Sequence, residues 1–191
     1  MDEARTGDER SPDDVDALLA GLADQAAALE AVYDDAAAED LARAARAEIP
    51  LLDRLRAAAS VTIEVIDHGS VAGMVLDVGR DVVVVNATDG TWAIHRTGIA
   101  AVIGASDAAA GPGGAAARLG LASIARAWAR ERGVVRVIRR GAVPLDGTID
   151  RVGADHLDLA EHDPGTPRLG AQVRRSVAVP FDAISALRLR P

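Results

Sequence analysis

The chain contains an imperfect internal repeat, and that repeat limits the fold more than any other feature. Ile63-Glu-Val-Ile-Asp-His-Gly69, Gly73-Met-Val-Leu-Asp-Val-Gly79, Arg80-Asp-Val-Val-Val-Val85 and Trp92-Ala-Ile-His-Arg-Thr-Gly-Ile-Ala-Ala-Val102 form the first copy. The second reads Val135-Arg-Val-Ile-Arg-Arg-Gly141, Gly147-Thr-Ile-Asp-Arg-Val-Gly153, Ala154-Asp-His-Leu-Asp-Leu-Ala160 and Val177-Ala-Val-Pro-Phe-Asp-Ala-Ile-Ser-Ala-Leu187. With Gly73 set on Gly147, Val78-Gly79 falls on Val152-Gly153, and the flanking apolar runs coincide. A chain that repeats at this length builds two like units.

Each copy has the two-residue period of strands. Val61, Ile63 and Val65 alternate with Thr62, Glu64 and Ile66, which predicts a half-buried strand. Gly69 and Gly73 bracket a turn, Val78-Gly79-Arg80 and Asn86-Ala-Thr-Asp-Gly90 mark two more, and five short strands result between residues 60 and 104. The second copy repeats them, with a longer hairpin insert at Asp163-Pro-Gly-Thr-Pro167.

Helical periods precede both copies. Residues 1–10 read as a disordered tail. Ser11-Pro12-Asp13-Asp14 is a helix start, with Ser as cap and acids at the positive end of the dipole. Val15, Leu18, Leu19, Leu22, Ala26, Leu29 and Val32 then recur at spacings of three and four. A soft break at Asp34-Asp35 and a restart or kink at Pro50 predict a helical hairpin over 11–58. A Gly-Pro-Gly-Gly linker over 105–114 leads to a helix from Ala115 to Arg132, closed by Gly133. That linker lies where a phosphate loop would lie, but a dinucleotide fingerprint from Gly111 requires Gly at the position of Ala116.

Composition narrows the function classes. The chain has no Cys, so disulfides and thiolate metal sites are excluded. No apolar run approaches a membrane span, and the acidic start is unlike a signal peptide, so a cytoplasmic protein is expected. Net charge is −8 but unevenly spread. Residues 1–57 hold 15 acids and 6 Arg, whereas residues 116–191 hold 8 acids and 13 Arg. The basic third points to an anionic partner, or to acids of this chain or a second copy.

A helix followed by five bent strands is similar to the Sm-like fold, a small SH3-type barrel. Gly147-x-Ile-x-x-Val-Gly-x-Asp-His-Leu-Asp-Leu159 resembles the first Sm signature. Val179-Pro-Phe-Asp-Ala-Ile-Ser185 resembles the closing signature of the bacterial Sm-like RNA chaperone Hfq, Val-Tyr-Lys-His-Ala-Ile-Ser. The whole chain also looks like an uncharacterised family of high-GC Gram-positive bacteria. The resemblance implies an α+β fold in which an acidic helical region precedes two five-stranded Sm-like barrels, each led by a helix. It also implies that the two copies satisfy each other's strand edges as a pseudo-twofold pair. The uridine-contacting Lys-His pair of that family falls on Phe181 and Asp182, which supply neither cation nor ring donor. His156 matches the base-contacting position of the first signature, and Val82 is its counterpart in the first copy.

No nucleophile elbow and no His-Glu-x-x-His helix is present, so neither enzyme chemistry nor a cofactor is expected. His156, Asp158 and His162 alternate along one strand and are expected on its solvated face, the two histidines too far apart for one metal ion. Asp77, Asp150 and Asp155 lie beside turns, where Asx turns account for them. The remaining signal is arginine: Arg126, Arg130, Arg132, Arg136, Arg139 and Arg140, joined by Arg174 and Arg175. The leading expectation is a non-enzymatic interaction or assembly module with a protein partner or self-association. The alternative is an RNA- or DNA-binding regulator using these arginines and His156. If the first holds, Arg130, Arg139 and Arg140 should pair with the chain's own carboxylates.

Overall fold

The structure is a computed structural model that describes residues 12–111, 118–163, 165 and 173–190. The predicted tail, the Ser11 cap, the glycine-rich end of the linker, and most of the hairpin insert lie outside them. The chain forms two compact units that divide between Glu48 and Ile49. Among the described residues no helix is long and apolar enough to cross a membrane.

The first unit is one helix, α1, Pro12–Ala47. It runs unbroken through Asp34-Asp35, so the expected hairpin is absent. Alanine has the best helix propensity, and two aspartates cost too little to interrupt an alanine-rich segment. Pro50 does separate α1 from α2, Leu51–Arg56, which restarts directly after it.

The second unit holds α2, α3 (Leu121–Glu131) and ten strands. They are β1 Ser60–Val65, β2 Gly69–Val78, β3 Val82–Ala87, β4 Gly90–His95, β5 Ile99–Ile103, β6 Val134–Arg139, β7 Ala142–Val152, β8 His156–Glu161, β9 Arg175–Pro180 and β10 Ile184–Leu189. Short 3-10 turns, Arg96–Gly98 and Phe181–Ala183, lead into β5 and β10. The predicted alternation in β1 holds, with Val61, Ile63 and Val65 buried.

These strands do not form two closed barrels. They make one open ten-stranded antiparallel sheet in the order β5-β1-β2-β3-β4-β10-β6-β7-β8-β9. The expected barrels are overturned at the joint, where β4 pairs with β10 through Ile94–Ala186, Ala93–Leu187, Trp92–Arg188 and Thr91–Leu189. Trp92, Ala93 and Ile94 are buried in succession, as are Ile184, Ser185, Ala186 and Leu187. Successive residues of a strand face opposite sides, so both faces of the sheet are covered here. Trp92, Ile94 and Ala186 join the core under α2, and Ala93, Ile184 and Leu187 join the core under α3. Two strands that each serve two cores stay paired inside one sheet.

The repeat survives in the register. Val75 faces Val85 and, after a bulge, Asp77 faces Val84. Ile149 faces Leu159 and, after the same bulge, Arg151 faces Asp158. An added Cβ on Gly73 would lie 2.2 Å from the Asn86 carbonyl oxygen, and one on Gly147 would lie 2.1 Å from that of Ala160. Both glycines are required because a neighbouring backbone crosses too closely for a side chain.

The C-terminus of α3 departs from expectation. The left-handed residue is Arg132, with φ of 56°, and not Gly133. Gly133 instead makes room for Leu189, whose Cδ1 would lie 2.4 Å from an added Cβ.

Candidate functional site

The nine residues singled out for nucleic acid do not make one free cationic face. Arg136 lies opposite Asp146 in the β6–β7 register and donates to both its oxygens, at 3.0 and 2.7 Å. That carboxylate holds the guanidinium above its ordinary range. Arg174 donates to both oxygens of Asp163, at 2.9 and 2.8 Å, and Arg175 pairs with Glu161 across β8–β9. Arg139 donates to the Val143 carbonyl at 3.2 and 2.6 Å, and Arg140 donates to the Thr97 hydroxyl. Arg126 donates to the Gly153 carbonyl at 3.2 Å. His156 Nδ1 sits 2.8 Å from Asp155 Oδ1. Arg126 and His156 thus meet around Gly153, whereas β7 and β8 separate Arg136 from Arg175. Arg130 and Arg132 are exposed, with no side-chain partner among the described residues. Arg130, Arg139 and Arg140 therefore do not pair with carboxylates as the interaction reading expected. Other arginines of the same third do.

His162 is a correction. It is not on the solvated face with His156 but buried, its ring nitrogens 2.9 Å from Thr148 Oγ1 and 3.0 Å from the Asp163 carbonyl oxygen. β8 ends at Glu161, so the alternation that placed His162 outward stops one residue before it. Asp77 also differs: it lies within β2, where its carboxylate accepts the Val78 N–H at 2.8 Å.

A polar cluster lies at the β4–β10 joint, on residues that sequence reasoning passed over. Asp89, in the turn before β4, accepts the Trp92 indole N–H at 2.8 Å and an Arg188 N–H at 2.6 Å. The Arg188 guanidinium carbon lies 5.5 Å from the Trp92 ring centroid, and the His68 ring lies 4.6 Å from it. Burial opposes ionisation of Asp89, and the bonds from Trp92 and Arg188 outweigh it, holding the carboxyl below its ordinary value. Burial, with Arg188 beside it, lowers His68. A second clasp spans the halves where Asp81 accepts the Leu121 N–H at 2.9 Å and so caps α3. Near it His95, which bonds Thr97 at 2.7 Å, is pushed down by burial against the opposing pull of Asp81. The only signal for the joint cluster in the sequence was Trp92, one of two tryptophans, set in a short strand.

The repeat assigns every strand of one half a counterpart in the other: β10 corresponds to β5, and β4 to β9. The joint therefore uses one edge of each half and leaves the equivalent pair, β5 and β9, as the outer edges of the sheet. The halves do not satisfy each other as a closed pair, which corrects the pseudo-twofold expectation. On β5, Ile103 replaces Arg188; on β9, Val177 replaces Trp92. Ile103 is 64% exposed and borders an open groove of about 510 Å³ that Ala72, Met74 and Ala87 also line. At the corresponding positions the second half carries Asp146, Thr148 and Glu161, so the groove at the free end is uncharged where the joined end is charged.

No family model and no curated protein matches the chain.

Proposed function

We propose that the protein is a non-enzymatic assembly module whose copies join head to tail, β9 of one chain pairing with β5 of the next. The observation that supports this is the β4–β10 joint, an antiparallel pairing between strands whose repeat equivalents are the two outer edges. An edge strand presents unpaired N–H and C=O groups and seeks a partner. Carried over from the internal register, Ile103 would face Val177, Val102 would face Ala178, and Ala101 would face Val179 of the neighbouring chain. None of these six is charged, and the groove beside Ile103 accepts an apolar side chain. The interface is heterologous, so it closes into a ring or continues as a fibre.

The cysteine-free chain permits a direct test. Ile103→Cys and Val177→Cys proteins are purified separately, mixed and oxidised. Opposed residues of an antiparallel pair lie about 4.5–5.5 Å apart at Cα, within disulfide reach. The expected product is a mixed disulfide between the two variants, with a mass that grows with concentration in the wild type. Absence of the mixed disulfide overturns the reading.

The second reading, nucleic-acid binding, is left with Arg126 and Arg130 on α3 and Arg132 just after it, the last two without side-chain partners among the described residues. Binding to mixed RNA and DNA that weakens steeply with salt, and is lost when these three become Ala, would favour it.

A further inference from the structure

α1 has a second, independent surface. It spans 36 residues, about 54 Å at 1.5 Å per residue, far longer than an ordinary globular helix. Leu19, Leu22, Ala26, Leu29, Tyr33 and Ala36 recur along it at alternating spacings of three and four, the period of a coiled-coil seam. Leu19, Leu22, Leu29 and Tyr33 are 57%, 53%, 60% and 73% exposed. The seam stops at Asp40, where an acid takes the next core position.

Charge decides the occupant. α1 carries nine acids and two arginines, which at first favours a basic partner over another copy. Between Leu19 and Ala36, however, no acid occupies a seam position: Asp24, Asp34 and Asp35 fall on the outer face, and Glu30 flanks the seam. In a parallel, in-register pair the flanking positions that meet across the seam are Gln25 with Glu30, Val32 with Ala37, and Glu39 with Ala44. In none of these flanking pairs does a carboxylate meet a carboxylate; the two copies of Asp40 face each other only beyond Ala36, where the seam ends. Val32, 65% exposed, then packs against the opposing Ala37 and widens the apolar strip. A basic partner helix would find its ion-pairing positions flanking this seam occupied mainly by Ala, Gln and Val.

We infer that α1 pairs with α1 of a second copy as a parallel, in-register, two-stranded coiled coil centred on Leu19 to Ala36. This pairing is symmetric and separate from the head-to-tail sheet joint.

The test uses full-length single-cysteine chains. In this arrangement the two copies of residue 22 face each other, within the Cα separation a disulfide needs. Leu22→Cys is expected to oxidise to a homodimer on the order of a hundredfold faster than Asp24→Cys on the outer face, because pairing raises the local thiol concentration. In an Ile103→Lys background, where the sheet joint cannot form, adding Leu22→Asp/Leu29→Asp should abolish the dimer by sedimentation while the helical circular dichroism is kept. Equal oxidation of the two cysteine variants overturns the proposal, as does a dimer that survives the double substitution. An antiparallel pair also overturns it, and shows as an Ile103→Lys dimer abolished by the double substitution while Leu22→Cys does not cross-link. Loss of the sheet joint leaves the Leu22→Cys result unchanged, so the two readings fail separately.

Discussion

At the scale of single residues, Asp89 and Arg188 contribute unequally to the joint in the middle of the sheet. The Arg188 side chain is 13% exposed and the Asp89 side chain 49% exposed, so one charge is largely dry and the other half wet. Removing Asp89 leaves a buried guanidinium without its counter-ion; removing Arg188 leaves a carboxylate that water can solvate. Asp89→Ala should therefore cost on the order of 2 kcal/mol in urea unfolding, and Arg188→Ala about 1 kcal/mol. The reverse order would show that Trp92, not Asp89, is the main partner of Arg188. The pH dependence follows from the lowered carboxyl. Its ordinary value is 3.8, so the stability it contributes is complete above that pH and is lost as pH falls through the depressed value. The gap between wild type and Asp89→Ala should stay constant from neutral pH to about 5 and close in stronger acid. None of this was legible in the sequence. Arg188 lies just past the last strand of the repeat, its partner is 99 positions away, and a lone Asp in a turn has an adequate local explanation.

At the scale of elements, the repeat was legible because a backbone constraint wrote it. Gly73 and Gly147 sit where an adjacent strand's carbonyl lies within 2.2 Å of any Cβ, and that carbonyl belongs to a backbone that cannot swing aside. Gly73→Ala and Gly147→Ala should each destabilise the sheet by about 1–3 kcal/mol, read as a fall in the urea midpoint. Matched losses at the two sites would show that the halves are mechanically equivalent. A loss below a few tenths of a kcal/mol at either would show that the adjacent strand gives way at little cost. Strand positions were also legible, since Val61, Ile63 and Val65 keep the two-residue period. The joint was not. Trp92-Ala-Ile94 and Ala186-Leu187 are short apolar runs, and such a run reads equally as the last strand of a barrel or as a strand covered on both faces. The break assigned to Asp34-Asp35 failed for a related reason: local propensity is weak, and a long alanine-rich helix absorbs it. Among the candidate site residues, pattern picked out Arg136 and Arg175 but not their neutralisation, because Asp146 and Glu161 become partners only once β6–β7 and β8–β9 are in register.

At the scale of the whole molecule, two proposed interfaces of different symmetry give a protein that can grow. A coiled coil through α1 is closed and joins two chains; a β9-to-β5 joint is head to tail and repeats. Linking them makes each second contact intramolecular, so modest interfaces reinforce one another. The head-to-tail nature of the sheet joint has a consequence that no symmetric interface shares. Ile103→Lys disables only the β5 edge, and Val177→Lys only the β9 edge. In the Leu22→Asp/Leu29→Asp background, which removes the helical contact, each variant alone should sediment as a monomer, because every joint needs one edge of each kind. Mixed, the β9 edge of the Ile103→Lys chain meets the β5 edge of the Val177→Lys chain, and one joint forms. The other two edges are blocked, so growth ends at a one-to-one heterodimer. A symmetric interface predicts no rescue on mixing, and a surface that is merely adhesive predicts species larger than two. Sedimentation of the mixture across a concentration series separates the three outcomes, and only a limiting dimer fits an edge-to-edge assembly built on the repeat.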